Sequence, residues 1–455
     1  MRVLILFCAI SLMGFIGCGP DEPYNADDIE DIDLGGQTSV EGAFVQIFQQ
    51  PAANLNAEQI AMHFKGDVAF GDLFVTAPSE VNSGLGPIFN QNSCENCHVS
   101  NGKSPFPSSQ GDLRGMLLRL SIPGADVHGE PLNVPGFGGQ LQTKAVFGKS
   151  PEATLTWQEI EEIRQYVDGD EVKLYRYQMD IINPYIPFPS NVMRSIRMAP
   201  LVVGLGLLEA IRESDILANA DVNDLNQDGI SGKPNRVWNY RTQQFELGRF
   251  GWKAGQPNLL QQTAAAYNQD MGITNPYFAV ESSLNQIQGD GLGDEPEIDE
   301  QTLKTATFYA QSLAVPKRRN ATDAEVMLGR KIFYNIKCTD CHRPKFVTGQ
   351  HEYDFLSNQT IFPYTDLLLH DMGPDLADNR PEYEANGFEW RTAPLWGIGL
   401  TKLVGGHSNY LHDGRAKSLE EAIMWHGGEA ETSRERFRSL SKAERTSLIR
   451  FLESL

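Results

Sequence analysis

The end of the chain carries the clearest pattern of apolar and polar positions. In SLSKAERTSLIRFLESL, Leu448, Phe451, Leu452 and Leu455 fall at i, i+3, i+4 and i+7, the stripe of a helix with one buried face. Ser441 and Glu444 have capping-box spacing and mark its start. DAEVMLGRKIFYNIKCTDCH, from Asp323 to His342, predicts a second helix, with Gly329 and Phe333 ahead of two cysteines. GDVAFGDLFVTAPSEVNSGLGPIFNQNSCENCH, from Gly66 to His98, is a looser version of the same plan with more loop. Between them, RMAPLVVGLGLLEAI, from Arg197 to Ile211, is apolar on every side and reads as buried. No repeat of 20–50 residues, the period of solenoids and arrays, runs along the chain.

The first residues follow another logic. MRVLILFCAISLMGFIGC has one basic residue and then an apolar run of about 15 residues, short of the roughly 20 that a transmembrane helix needs. Residues 1–17 are expected to be a signal peptide. FIGC resembles a bacterial lipobox, with Phe15 where leucine is usual, and makes Cys18 the expected lipidation site. An ordinary cleaved signal or a short anchor remains the alternative. GPDEPYNADDIEDIDLGG follows, acidic and flanked by Gly and Pro, and predicts a disordered tether over 18–45. The mature protein is therefore expected in the periplasm or on the cell surface, held to a bacterial membrane by a lipid anchor on Cys18.

Composition narrows the class. Of 455 residues, 41% are hydrophobic and 21% charged, as in a folded globular protein. Lys and Arg number 38 against 59 Asp and Glu, a formal net charge of −21. That excludes nucleic acid as the expected partner, since nucleic acid binding takes a basic patch.

Six cysteines are present. With Cys8 and Cys18 placed in the leader, four remain: Cys94 and Cys97, Cys338 and Cys341. A redox pair or a zinc site built from both pairs is conceivable, but neither needs the histidine that follows each pair, His98 and His342. C-x-x-C-H is the haem attachment signature, in which two thiols become thioethers and the adjacent imidazole meets the iron. Two covalent c-type haems are the expected cofactors, and export is the compartment their attachment requires. The expected fold is mainly α, with two cytochrome c-like haem domains and a long loop-rich insertion. A haem region spans 46–321 with the insertion inside it, and a C-terminal cytochrome c domain spans 322–455.

Further candidates lie between and beyond the motifs. Asp224, Asn226 and Asp228, with Gly229 for a sharp turn, match the first half of a calcium loop. Asn235 stands where an EF-hand has glutamate, so either a non-EF calcium site or an Asx-rich turn fits. Trp252, between Gly251 and Lys253, is placed either as an electron relay between haems or as a core tryptophan. Six of nine histidines (His342, His351, His370, His407, His412, His426) fall in the last third of the chain. A low-spin haem takes a sixth ligand from such an imidazole, or from a thioether such as Met372.

HDMGPDLAD, EWRTAPLWGIG, LHDGRAKSLEEAIMWHGGEA, GLGLLEAI, DGISG and GRFGWKA resemble the di-haem oxidoreductase family, once called thiol oxidoreductases. The likeness covers nearly all of the chain after about residue 60. That family is similar to bacterial di-haem cytochrome c peroxidases and to the di-haem enzyme that matures tryptophan tryptophylquinone. In those relatives, a helix after HDG ends in the sixth ligand of the C-terminal haem, a methionine or tyrosine. Matched onto Ser418 to His426, the resemblance implies His426 instead, a departure towards bis-histidine ligation. No histidine matches the peroxidase distal position: His128 is too far along and His63 precedes the haem. The older name gains nothing from these residues, because haem consumes the thiols. The resemblance implies electron passage between two haems, one of which reduces hydrogen peroxide or oxidises a substrate, with a redox protein as partner; for the peroxide reaction Glu209 and Gln140 are the candidate acid and amide. The rivals are a non-catalytic electron-transfer cytochrome and a surface lipoprotein that handles haem or iron.

Overall fold

The computed structural model describes residues 29–455 apart from Asp112. The expected signal peptide over 1–17 and the expected lipidation site Cys18 lie outside the described residues. Among those residues, no helix is long and apolar enough to cross a membrane.

The two helices read from the C-terminal pattern are present. Ala324–Asn335 is capped by Asp323, whose carboxylate accepts from Glu325 N and Val326 N, and Lys442–Ser454 starts at a complete Ser441/Glu444 capping box. They pack directly on each other, with the Phe333 and Phe451 rings 5.2 Å apart. Gly329 makes that approach feasible, because a Cβ there would lie 1.8 Å from Ser447 O. Leu448, Phe451, Leu452 and Leu455 are all buried, each contributing roughly 1.5–3 kcal/mol of apolar burial.

The expectation of a mainly α fold is not met. The described residues are 28% helical and 19% strand, with several small antiparallel sheets. The largest pairing is a hairpin of Thr154–Gln165 and Glu171–Ile182, in register from Thr154↔Ile182 to Gln165↔Glu171. Its strands, TLTWQEIEEIRQ and EVKLYRYQMDII, alternate apolar with polar residues, and the connection between them holds Asp168 and Gly169. An Asp-Gly turn between alternating runs is a hairpin signal, and here it outweighs the loop-like composition. A second sheet sets Met116–Ala125 between Pro131–Leu132 and Met193–Met198.

The hairpin folds back over the C-terminal third. Leu174, Val172 and Tyr166 join the main core with Trp425 and Phe437. Arg445 bridges Asp168 and Asp170 at 2.9 and 3.0 Å, and Tyr175 N donates to Glu421 Oε1 at 2.6 Å. Residues 29–45, expected as the end of a disordered tether, also depart from expectation. Asp31 and Leu34 are fully buried. Asp31 pairs with Arg318 at 2.5 Å, and Leu34 joins the main core. One buried carboxylate and one leucine are enough to dock a stretch whose average composition is that of a tether.

Candidate functional site

Both C-x-x-C-H motifs open onto one cavity of about 490 Å³, lined by Cys94, Cys97, His98, Cys338, Cys341 and His342. At the first, Ser93 Oγ accepts from Asn96 N and caps the short helix Cys94–Cys97, which closes with His98 N donating to Cys94 O at 2.9 Å. At the second, Lys337 in the left-handed region, φ 73°, ends the preceding helix and starts a 3-10 turn, Cys338–Asp340. There His342 N donates to Cys338 O, also at 2.9 Å. Each turn sets its two sulfurs and its imidazole together. All four cysteines are free. Burial pushes the Cys94 and Cys338 thiols up to about 12 and raises Cys97 and Cys341 too, so none is a thiolate nucleophile. Among the described residues, no group of three or more His, Cys, Asp or Glu is arranged to hold a metal ion, which removes the zinc reading of the two pairs.

The histidines separate by what their ring nitrogens meet. His98 Nδ1 donates to Pro200 O at 2.8 Å and His342 Nδ1 to Tyr364 O at 2.9 Å. His426, at the end of the Leu419–Trp425 helix, donates from Nδ1 to Ala422 O at 2.7 Å. Each carbonyl fixes the tautomer and leaves the Nε2 lone pair for a metal. Burial holds His98 and His342 neutral, at about 4, with the nearby His426 adding to the effect on His342. His426 is lowered as well, by burial and then by Arg434. His426 lines the same cavity. His370 differs: Nε2 meets Asp366 at 2.8 Å and Nδ1 meets Glu429 at 2.6 Å. Burial alone would lower it, but Asp366 and Cys341 hold it well above the ordinary value. Both of its ring nitrogens are taken by carboxylates. His412 stacks on Trp390, with ring centroids 3.6 Å apart.

A family model described as di-haem oxidoreductase, putative peroxidase, matches residues 29–455. The chain belongs to that family. No curated protein matches it. Membership of a di-haem oxidoreductase family implies two haems, and the donor set fits them: two sulfur pairs and three neutral imidazoles with free Nε2 atoms around one largely apolar cavity.

The remaining candidates in this di-haem oxidoreductase fall on different sides of the cavity wall. Trp252 lines it; its indole donates to Met198 O at 2.8 Å, with the Lys103 ammonium 4.7 Å from the ring. Glu209 does not line it. Its carboxylate accepts from Leu259 N at 2.7 Å and Gln311 Nε2 at 2.6 Å, so it caps a helix. Gln140 stands one layer back, donating to Asp270 Oδ1 at 2.8 Å. Asp224, Asn226 and Asp228 lie together in one loop, where Asn226 Nδ2 donates to Asp228 Oδ2 at 3.0 Å. Their oxygens accept from Gly229 N, Asp228 N and Ile230 N of the same loop, which is the Asx-rich turn.

Two cavity residues escaped the sequence reading: Asp270 and Arg119. The Leu259–Met271 helix lines the cavity through Leu259, Gln262, Thr263, Ala266, Asp270 and Met271, one helical face. That spacing was the available signal. Asp270 is close enough to Cys94 and Cys97 to raise both thiols. Burial pushes its own carboxyl up, against the opposing pull of Arg119 and of the Gln140 hydrogen bond.

Proposed function

We propose that this di-haem oxidoreductase is an exported, lipid-anchored c-type enzyme that reduces hydrogen peroxide with electrons from a redox partner protein. One haem is held by thioethers at Cys94 and Cys97 with His98 as proximal ligand, the other at Cys338 and Cys341 with His342. The bound haems supply the one-electron couples and an iron that peroxide can reach.

The observation that carries this reading is the asymmetry of the two sites. The second motif has an imidazole partner in His426, whose Nδ1 is satisfied by Ala422 O. Around the first motif the cavity wall offers a carboxyl and a guanidinium, Asp270 and Arg119. Met271 beside them also lines the cavity while packing into an apolar cluster with Phe74, Tyr267 and Ile273. Reduction of H2O2 to two waters takes two electrons and two protons. Asp270, whose carboxyl burial pushes up, is the group that would give a proton to the departing oxygen. Arg119 stabilises the negative charge that builds there, and Gln140 orients Asp270. Trp252 lies on the wall shared by both motifs, the position of a relay.

Protein matured in a host that attaches haem tests the reading. A pyridine haemochrome assay and intact mass should give two covalent haems, with peroxide consumed at the expense of a reduced donor protein. One haem or none overturns the attachment. Two haems that are low-spin in every redox state and inert to peroxide and cyanide make the protein an electron-transfer cytochrome.

A further inference from the structure

Tyr364 has φ of 53°, in the left-handed region that bulky side chains avoid because Cβ crowds the following carbonyl. Such strain persists only where the surroundings over-determine it. Here both ends of the residue are held. Its main-chain oxygen accepts from His342 Nδ1 at 2.9 Å. Its hydroxyl donates to Asp31 Oδ2, and its ring packs between Phe333 and Phe451, at 5.9 and 5.8 Å between centroids. Asp31 is itself fully buried, with Arg318 Nη1 at 2.5 Å and Arg330 Nε at 3.4 Å. The other site needs no such device. His98 donates to the oxygen of Pro200, whose ring fixes its own φ.

We propose that Asp31, reaching in from the N-terminal segment, acts through Tyr364 as a positioning residue for His342 and so sets the potential of the C-terminal haem. The proposal rests on His342 being the proximal ligand of that haem. A carbonyl that accepts the Nδ1 proton makes the imidazole a stronger donor, which favours the oxidised iron. Freed from Asp31, Tyr364 can relax to negative φ and turn its carbonyl away. The donor then weakens and the potential rises. The segment that leads to the expected membrane anchor thereby becomes part of the redox site.

Tyr364→Phe in the full-length holoprotein is the decisive variant. It keeps ring and carbonyl, removes one hydroxyl, and leaves Asp31 paired with Arg318. Asp31→Asn is its companion. Spectroelectrochemical titration should show one of the two potentials raised in Tyr364→Phe, the other unmoved, and two haems still attached. The expected size is about a tenfold rise in the ratio of reduced to oxidised haem at fixed applied potential, which is 59 mV for one electron. If His342→Ala moves one potential while Tyr364→Phe moves neither, the positioning role is overturned. If His342→Ala moves neither, the ligand assignment fails and takes the positioning role with it.

Discussion

The two C-x-x-C-H sites share a motif and a cavity but not their surroundings. At the second, His342 has His426 as a neighbour, and the wall also carries His370, clamped between Asp366 and Glu429. At the first, the cavity wall carries Asp270, close enough to act on both thiols, with Arg119 acting on Asp270 and Met271 beside it on the wall. A haem closed by a second imidazole can only exchange electrons, whereas one facing an acid and a guanidinium can bind and cleave a small oxidant. The comparison teaches that the motif fixes where a haem is held, and the opposite wall fixes what it does.

Breaking attachment gives the largest expected effect. Cys94→Ala with Cys97→Ala should leave one haem per chain and abolish peroxide reduction. Cys338→Ala with Cys341→Ala should also leave one haem, yet spare cyanide binding. Haemochrome content and optical titration measure both, and identical phenotypes would dissolve the contrast between the sites. Next comes Asp270→Asn, expected to slow the second-order reaction with peroxide by about 10²–10⁴-fold with haem content unchanged. The acid form is the working one and burial raises its pKa. The wild-type rate should therefore hold on the acid side, persist above the usual carboxyl range, and fall as pH rises through the raised pKa. Stopped-flow traces should show that fall missing in Asp270→Asn.

His426→Ala should turn one haem high-spin while both stay attached, with a smaller effect on peroxide than Asp270→Asn. An unchanged spectrum would shift the sixth ligand to His412 or Met372. The smallest effect is expected at the Asp224–Asp228 loop. A chelator should leave the melting temperature unchanged, and Asp228→Ala should cost no more than roughly 0.5 kcal/mol, as at an exposed turn. A drop in melting temperature with chelator would restore the calcium site.

Local chemistry was legible in the sequence and long-range enclosure was not. Both C-x-x-C-H motifs read directly, because each is a fixed spacing over five residues. The closing helix pair read as well, since Leu448, Phe451 and Leu452 keep one period throughout. The hairpin from Thr154 to Ile182 was passed over: its alternation was present, but the charges on its open face resemble loop composition. Glu209 looked available and proved to cap a helix. Asp270 carried no motif, and became a site residue only once the Leu259–Met271 helix turned that face to the cavity. Asp31 lay in a stretch with the composition of a tether, and its partners Arg318 and Tyr364 lie nearly three hundred residues or more along the chain.

The central claim is that one haem is closed and the other open. Electron paramagnetic resonance of the fully ferric and the half-reduced holoprotein tests it most directly. The account predicts one low-spin signal of bis-imidazole type that His426→Ala removes. Alongside it, a second haem should be high-spin in the ferric protein or become so once its neighbour is reduced, and the optical spectrum of the His426-ligated haem should lack a sulfur-to-iron charge-transfer band. Two low-spin signals in the ferric state and a low-spin signal from the remaining ferric haem in the half-reduced state, unmoved by His426→Ala and indifferent to cyanide, would contradict it.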